Sequence, residues 1–207
     1  MNKLSKGLVE FKKQYFKKHK QLFESLSTRQ NPHTLFIGCS DSRVIPNIIT
    51  KTLPGELFVV RNIANIIPVY QPDGDNFLSI VSSIEFAVKN LNVENIVVCG
   101  HSNCGGCSAL YLRDKIKDDL PATNKWISLS ANVIEQLSQL SDAPEADKKL
   151  LTEQMNIVQQ TTNLLTYPYV KEKYAKNELN IYGWYYIIET GDVFCYNFDE
   201  SVFKLIN

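Results

Sequence analysis

Four side chains beside two apolar runs carry the chemistry of this chain. They are Cys39 and Asp41 in Cys39-Ser40-Asp41-Ser42-Arg43, and His101 and Cys104 in His101-Ser102-Asn103-Cys104. Two thiols, an imidazole and a carboxylate make a soft tetrahedral donor set, the kind that zinc prefers. Three N/S ligands leave a fourth position that is either open or filled by the carboxylate. An open position marks a zinc that does chemistry, a closed one a zinc that holds a fold. The spacing of three lets His101 and Cys104 reach one ion. Asp41 and Arg43 can pair, which would keep Asp41 ionised and oriented. A zinc with two thiolates is formally near neutral and acidifies a bound water less than a three-imidazole site does, so activity is expected to rise with pH. A rival set is local: Cys99, His101, Cys104 and Cys107 have knuckle-like spacing. Cys99, however, lies in an apolar run where a free thiol packs as a small hydrophobe.

Elements must bring these residues together. Three short apolar runs, 34–39, 57–61 and 95–100, read as strands buried on both faces, as in a parallel sheet. Phe77, Ile80, Val81, Ile84, Val88 and Leu91 recur at helical steps between the second and third, so the order is strand, helix, strand. Residues 105–165 are mostly helical by pattern, with breaks near Pro121 and Pro144. The run 181–189 is rich in β-branched and aromatic residues, and Thr190-Gly191-Asp192 turns it into 193–198, a C-terminal hairpin. Leu4, Leu8, Phe11, Tyr15 and Leu22 share one stripe of an N-terminal helix whose other face is rich in lysine. In open α/β sheets, ligands bind beyond the carboxyl ends of the strands. Cys39, Arg61 and His101 each stand at such an end. Gly105 and Gly106 then allow close backbone approach.

The 207 residues are 44% hydrophobic and 21% charged, with 22 basic and 22 acidic side chains, which fits one domain over 1–207 and argues against nucleic acid. No apolar run is long enough for a membrane span, and 1–20 lacks the uninterrupted apolar stretch of a secretory signal. A cytoplasmic location is the expectation. Five cysteines, an odd number, do not read as a disulfide framework.

The segments CSDSR (39–43), PGELFVVRNIAN (54–65), IEFAV (84–88) and GHSNCGG (100–106) together resemble the β-class carbonic anhydrases, with a looser match through GWYY (183–186). The resemblance implies an α/β fold with a mostly parallel central sheet flanked by helices. It implies one zinc ion on Cys39, His101 and Cys104, with Asp41 and Arg43 as a catalytic dyad. It implies the reversible hydration of carbon dioxide to bicarbonate and a proton through zinc-bound hydroxide. It further implies a homodimer or homotetramer in which the arm 1–30 packs on a partner subunit near the active site. Gln30, Phe58, Ile63, Phe86 and Gly105 are the expected substrate pocket. Gln30 and Phe58 match the plant-like version of the family, whose fourth zinc position is open and whose Asp is not a ligand. The other version carries a regulatory bicarbonate site of Trp, Arg and Tyr, at positions that here hold Phe36, Arg61 and Tyr186. Phe36 has no N–H to donate, which puts that site in doubt. The competing readings are hydrolysis of carbon disulfide or carbonyl sulfide on the same fold, and an inactive structural zinc protein.

Overall fold

The computed structural model describes residues 2–72, 74, 76–112, 116–138 and 144–206. Its centre is a six-stranded sheet in the order β2-β1-β3-β4-β5-β6. The strands are β1 (Thr34–Cys39), β2 (Leu57–Asn62), β3 (Asn95–His101), β4 (Asn180–Tyr186), β5 (Val193–Asn197) and β6 (Val202–Leu205). The first four are parallel; β5 and β6 add antiparallel to β4. Every residue of β1 is buried, and all of β3 but its first, which is why both read as unbroken apolar runs. The edge strand β2 is only partly covered.

The strand order, invisible in the sequence, decides where the site lies. The chain leaves β1 for the edge at β2, then returns past β1 to lay down β3 on its other side. That reversal opens a crevice beyond the carboxyl ends of β1 and β3. Gly38 is in register with Cys99, so Cys39 and His101 emerge at the same rim.

The 20-residue helix Glu145–Leu164 lies against β3 and β4. It comes close because two strand positions have no side chain. A Cβ on Gly100 would stand 2.7 Å from Ile157 Cδ1, and one on Gly183 would stand 2.9 Å from Ile157 Cγ2. The same helix turns buried amides toward the loop after β2. Asn156 Nδ2 donates to Ala64 O (2.8 Å), Ile67 N donates to Gln160 Oε1 (2.7 Å), and Asn163 Nδ2 donates to Ile67 O (2.7 Å). Buried amides of this kind are tolerated only when paired, and stripping one partner costs about 1–3 kcal/mol. Around this seat Leu35, Ile37, Ile96 and Val98 pack with Ile84, Val88, Leu164 and Tyr167.

The expected C-terminal hairpin is present, turning through Gly191 at φ 84°, and β6 extends it into a third antiparallel strand. The helix Pro168–Ala175, opened by a proline, was not legible as a periodic stripe. The N-terminal helix runs Lys3–Glu10, loosens into a π-helical turn at Phe11–Phe16, and resumes at Lys20–Ser25. Its apolar stripe stays uncovered on this chain: Leu4 is 78% exposed and Leu8 69%.

The Gly100→Ala substitution is expected to push Ile157 off its seat and lower stability by about 1–3 kcal/mol, the usual cost of overpacking. Urea unfolding measures it; an unchanged midpoint would mean that the helix has slack at this contact.

Candidate metal centre

Cys39 closes β1, His101 closes β3, and Cys104 precedes the helix Gly105–Tyr111. One donor atom from each comes within 4.8 Å of the others, and all three residues are buried. The two Sγ atoms are 3.9 Å apart. Two zinc–sulfur bonds of about 2.3 Å at a tetrahedral angle span about 3.8 Å, so the thiols already stand at the edge length of such a site. His101 Nδ1 lies 3.0 Å from Ser102 O. A carbonyl can only accept, so Nδ1 carries the proton and Nε2 presents its lone pair. Among the described residues, Nε2 is buried without a hydrogen-bond partner. An orphaned, correctly tautomerised nitrogen facing two thiols is what a metal would satisfy.

Asp41 is withheld from this donor set by arginine. Arg43 Nε donates to Oδ1 (2.9 Å), its NH2 donates to Oδ2 (2.7 Å), and its backbone N–H also reaches Oδ1 (3.0 Å). The guanidinium holds the Asp41 carboxyl well below the usual carboxylate range. Oδ2 nevertheless stays 3.8 Å from His101 Nε2, at the border of the metal position. The NH2 of Arg43 also donates to Asn103 O (3.1 Å), tying the Cys39 loop to the Cys104 loop. Arg61 supplies a second clasp, its Nε donating to Cys39 O (2.9 Å) and its NH2 to Asp41 O (2.6 Å).

Glu153 is a site residue that sequence reasoning missed. It is buried on the long helix, accepts from Cys104 N (2.9 Å), and accepts from the Tyr185 hydroxyl (2.7 Å). Burial raises its pKa. Its only sequence signal is a carboxylate on the inward stripe of a helix, 49 residues from the loop that it holds.

A cavity of about 450 Å³ opens over the centre, lined by Cys39, Asp41, Ile63, Gly105, Ala109 and Leu120 among others. Its wall is held by Trp126 Nε1 donating to Ile63 O (2.9 Å). The two adjacent glycines differ. A Cβ on Gly106 would meet Ile63 Cγ2 at 2.8 Å and Ala64 Cβ at 2.9 Å, whereas one on Gly105 would meet nothing within 4 Å among the described residues. Of the expected pocket residues, Ile63 and Gly105 line this cavity. Phe58 and Phe86 instead face each other at 6.0 Å between ring centroids, and Gln30 is exposed. Phe36 is fully buried against Trp184 and Tyr186, and the Arg61 guanidinium is occupied by the two carbonyls. The local knuckle is not formed: among the described residues, Cys99 and Cys107 stay outside the donor cluster.

The carbonic anhydrase family profile matches residues 34–193. A carbonic anhydrase of Helicobacter pylori is 42% identical over 204 residues, which are 97% of this chain and 92% of that protein. The structure of the β-carbonic anhydrase CcaA superposes with a TM-score of 0.93 at 36% identity, covering 98% of each chain. One of two tetrameric β-carbonic anhydrases of Sordaria macrospora superposes at 0.70 and 27% identity, covering 94% of this chain and 97% of that one.

Two outcomes are expected. Metal-free Cys39 is pushed up to about 12 by its hydrogen bond to Cys104 and by burial, and Cys104 is raised further by its contact with Cys107. Both therefore start protonated at neutral pH, metal binding must expel about two protons, and affinity should rise about 100-fold per pH unit. Calorimetry in buffers of different ionisation enthalpy counts those protons; a count near zero would mean that the thiols do not ligate as thiolates. The Glu153→Ala change should weaken metal binding by roughly 10–100-fold, as loss of a ligand's supporting contact does. Glu153→Gln, which can still accept from Cys104 N, should retain most of it in a chelator-competition titration.

Proposed function

The chain belongs to the β-class carbonic anhydrases, and we propose that its Cys39–His101–Cys104 centre holds one zinc ion beside a working Asp41–Arg43 dyad. The activity is the reversible hydration of carbon dioxide to bicarbonate and a proton. The observation that carries the metal reading is the buried, unpartnered His101 Nε2 facing two thiols 3.9 Å apart. Zinc, when bound there, would supply a Lewis acid that makes a water nucleophilic, though less acidified than on three imidazoles.

The protein's own groups do the rest. Asp41 accepts a hydrogen bond from the attacking water at Oδ2, which fixes the direction in which that water's lone pair points. Arg43 keeps the carboxylate charged and turned, so Asp41 orients the nucleophile rather than filling the fourth position. Ile63, Ala109 and Leu120 offer an apolar wall, suited to a neutral gas that binds without hydrogen bonds. Gly105 leaves room beside it for the product's oxygens.

Phe58, Phe86 and Gln30 complete this pocket from a second copy of the chain. Their place outside the cavity on a single chain, together with the uncovered stripe of the N-terminal helix, favours that arrangement. The arm 1–30 then packs on the partner, as a homodimer or as a tetramer like the Sordaria protein. Residues 1–207 act as one catalytic domain. The cytoplasm suits its five reduced cysteines, and among the described residues no helix is long and apolar enough to cross a membrane.

Stopped-flow hydration of carbon dioxide, with zinc measured in the same samples, tests this reading. Wild type should hold one zinc per chain and be active. Asp41→Ala should keep its zinc and lose roughly 10–100-fold in rate, the usual penalty for a group that orients a metal's surroundings. Cys104→Ser should lose both zinc and activity. A wild type with full zinc and no activity would overturn the reading.

A further inference from the structure

Cys107 takes no part in the chemistry described so far. It stands three residues past Cys104, in Cys104-Gly105-Gly106-Cys107. The helix begins here, its first bond running from Ser108 N to Cys104 O (2.9 Å). Residues three apart on a helix share a face, and Cys104 and Cys107 are both buried in one cluster with Cys39. On its other side, Cys104 Sγ is 3.9 Å from Cys39 Sγ. Three thiols therefore stand in series, with Cys104 in the middle. Cys39 at one end lines the cavity; Cys107 at the other is 3% exposed and does not line it. Cys99 is turned away, its thiol directed at Gly100 O (3.5 Å).

We propose that Cys107 is the resolving thiol of an oxidation relay that empties the metal centre reversibly. The inference rests on the reading of Cys39 and Cys104 as metal ligands. The oxidant is a small peroxide able to enter the cavity, hydrogen peroxide being the simplest. The Cys39 sulfur attacks the O–O bond, an S–O bond forms, and hydroxide departs to take up a proton as water. The Cys104 sulfur then attacks that sulfenic sulfur; an S–S bond forms, the S–O bond breaks, and a second water leaves. Cys107 finally attacks the Cys104 sulfur, and Cys39 departs as a thiol. In total Cys104 and Cys107 lose two electrons to the peroxide, the Cys107 proton passes to Cys39, solvent supplies the two protons that complete the two waters, and the metal is released to solvent.

The last exchange has a mechanical cause. A Cys39–Cys104 bond must close 3.9 Å to about 2.05 Å across two loops. Arg43 and Arg61 hold those loops through Asn103 O, Cys39 O and Asp41 O. A Cys104–Cys107 bond closes within one helical turn and strains neither clasp; C-x-x-C is a spacing that forms disulfides readily.

The test treats the zinc-loaded protein with hydrogen peroxide. Released zinc is followed with a chromogenic chelator, and disulfides are mapped by differential alkylation and fragmentation mass spectrometry. Zinc in the reduced protein is measured first, so failure of the metal reading shows separately from failure of the relay. The relay predicts zinc loss together with a Cys104–Cys107 disulfide, and full recovery of zinc binding after dithiothreitol and added zinc. Cys107→Ser should load zinc normally when reduced, but stop at a Cys39–Cys104 disulfide or proceed to irreversible sulfinic acid. The inference is overturned if oxidised wild type carries only Cys39–Cys104, or if it forms no disulfide.

Discussion

One close contact organises this molecule: the helix Glu145–Leu164 resting on Gly100 and Gly183. Because neither position has a side chain, Ile157 lies directly on the sheet, and everything on that face of the helix comes within reach of the strand ends. One turn earlier, Glu153 takes the backbone of Cys104. Asn156, Gln160 and Asn163 take the backbone of the loop that carries Ile63 into the cavity wall. Packing and site geometry are thus one constraint. A helix held further from the sheet would loosen a metal ligand and a pocket wall together.

The centre is held mostly through backbone atoms. Glu153, Arg61, Asn156 and the NH2 of Arg43 all bind main-chain groups, which fixes the loops through their backbones. This leaves His101 Nε2 without a hydrogen-bond partner among the described residues, facing thiols that stand 3.9 Å apart. Asp41 is the exception, bound at both oxygens. A bidentate guanidinium–carboxylate pair is strong and directional, and here it decides whether a carboxylate beside a metal acts as a ligand or as a hydrogen-bond acceptor.

The donor set, the dyad and the strands that carry them were legible in the sequence because each has a local signature. Thiols and imidazole have few roles that require such spacing, and doubly buried strands are written as unbroken apolar runs. What was not legible is whatever depends on strand order or on contacts across long separations. The switch point between β1 and β3 follows from a crossover that no periodicity records. Arg61 stands at a strand end in the sequence, but its two carbonyl partners lie about twenty residues away, and Glu153 holds a backbone 49 residues from itself. Phe58 and Phe86 were assigned to the pocket through resemblance, and on a single chain they face each other instead.

The paired glycines at the start of the helix Gly105–Tyr111 obey opposite rules. Gly106 is locked by its neighbours: any side chain would strike Ile63 and Ala64. Gly105 is bounded by empty space, and that space is the cavity itself. A side chain placed there would project into the reaction chamber without disturbing the core, and would remove a glycine from a helix, where it weakens the backbone. Gly105 is therefore a position at which chamber volume can be adjusted without touching the core, a built-in dial for the size of molecule admitted.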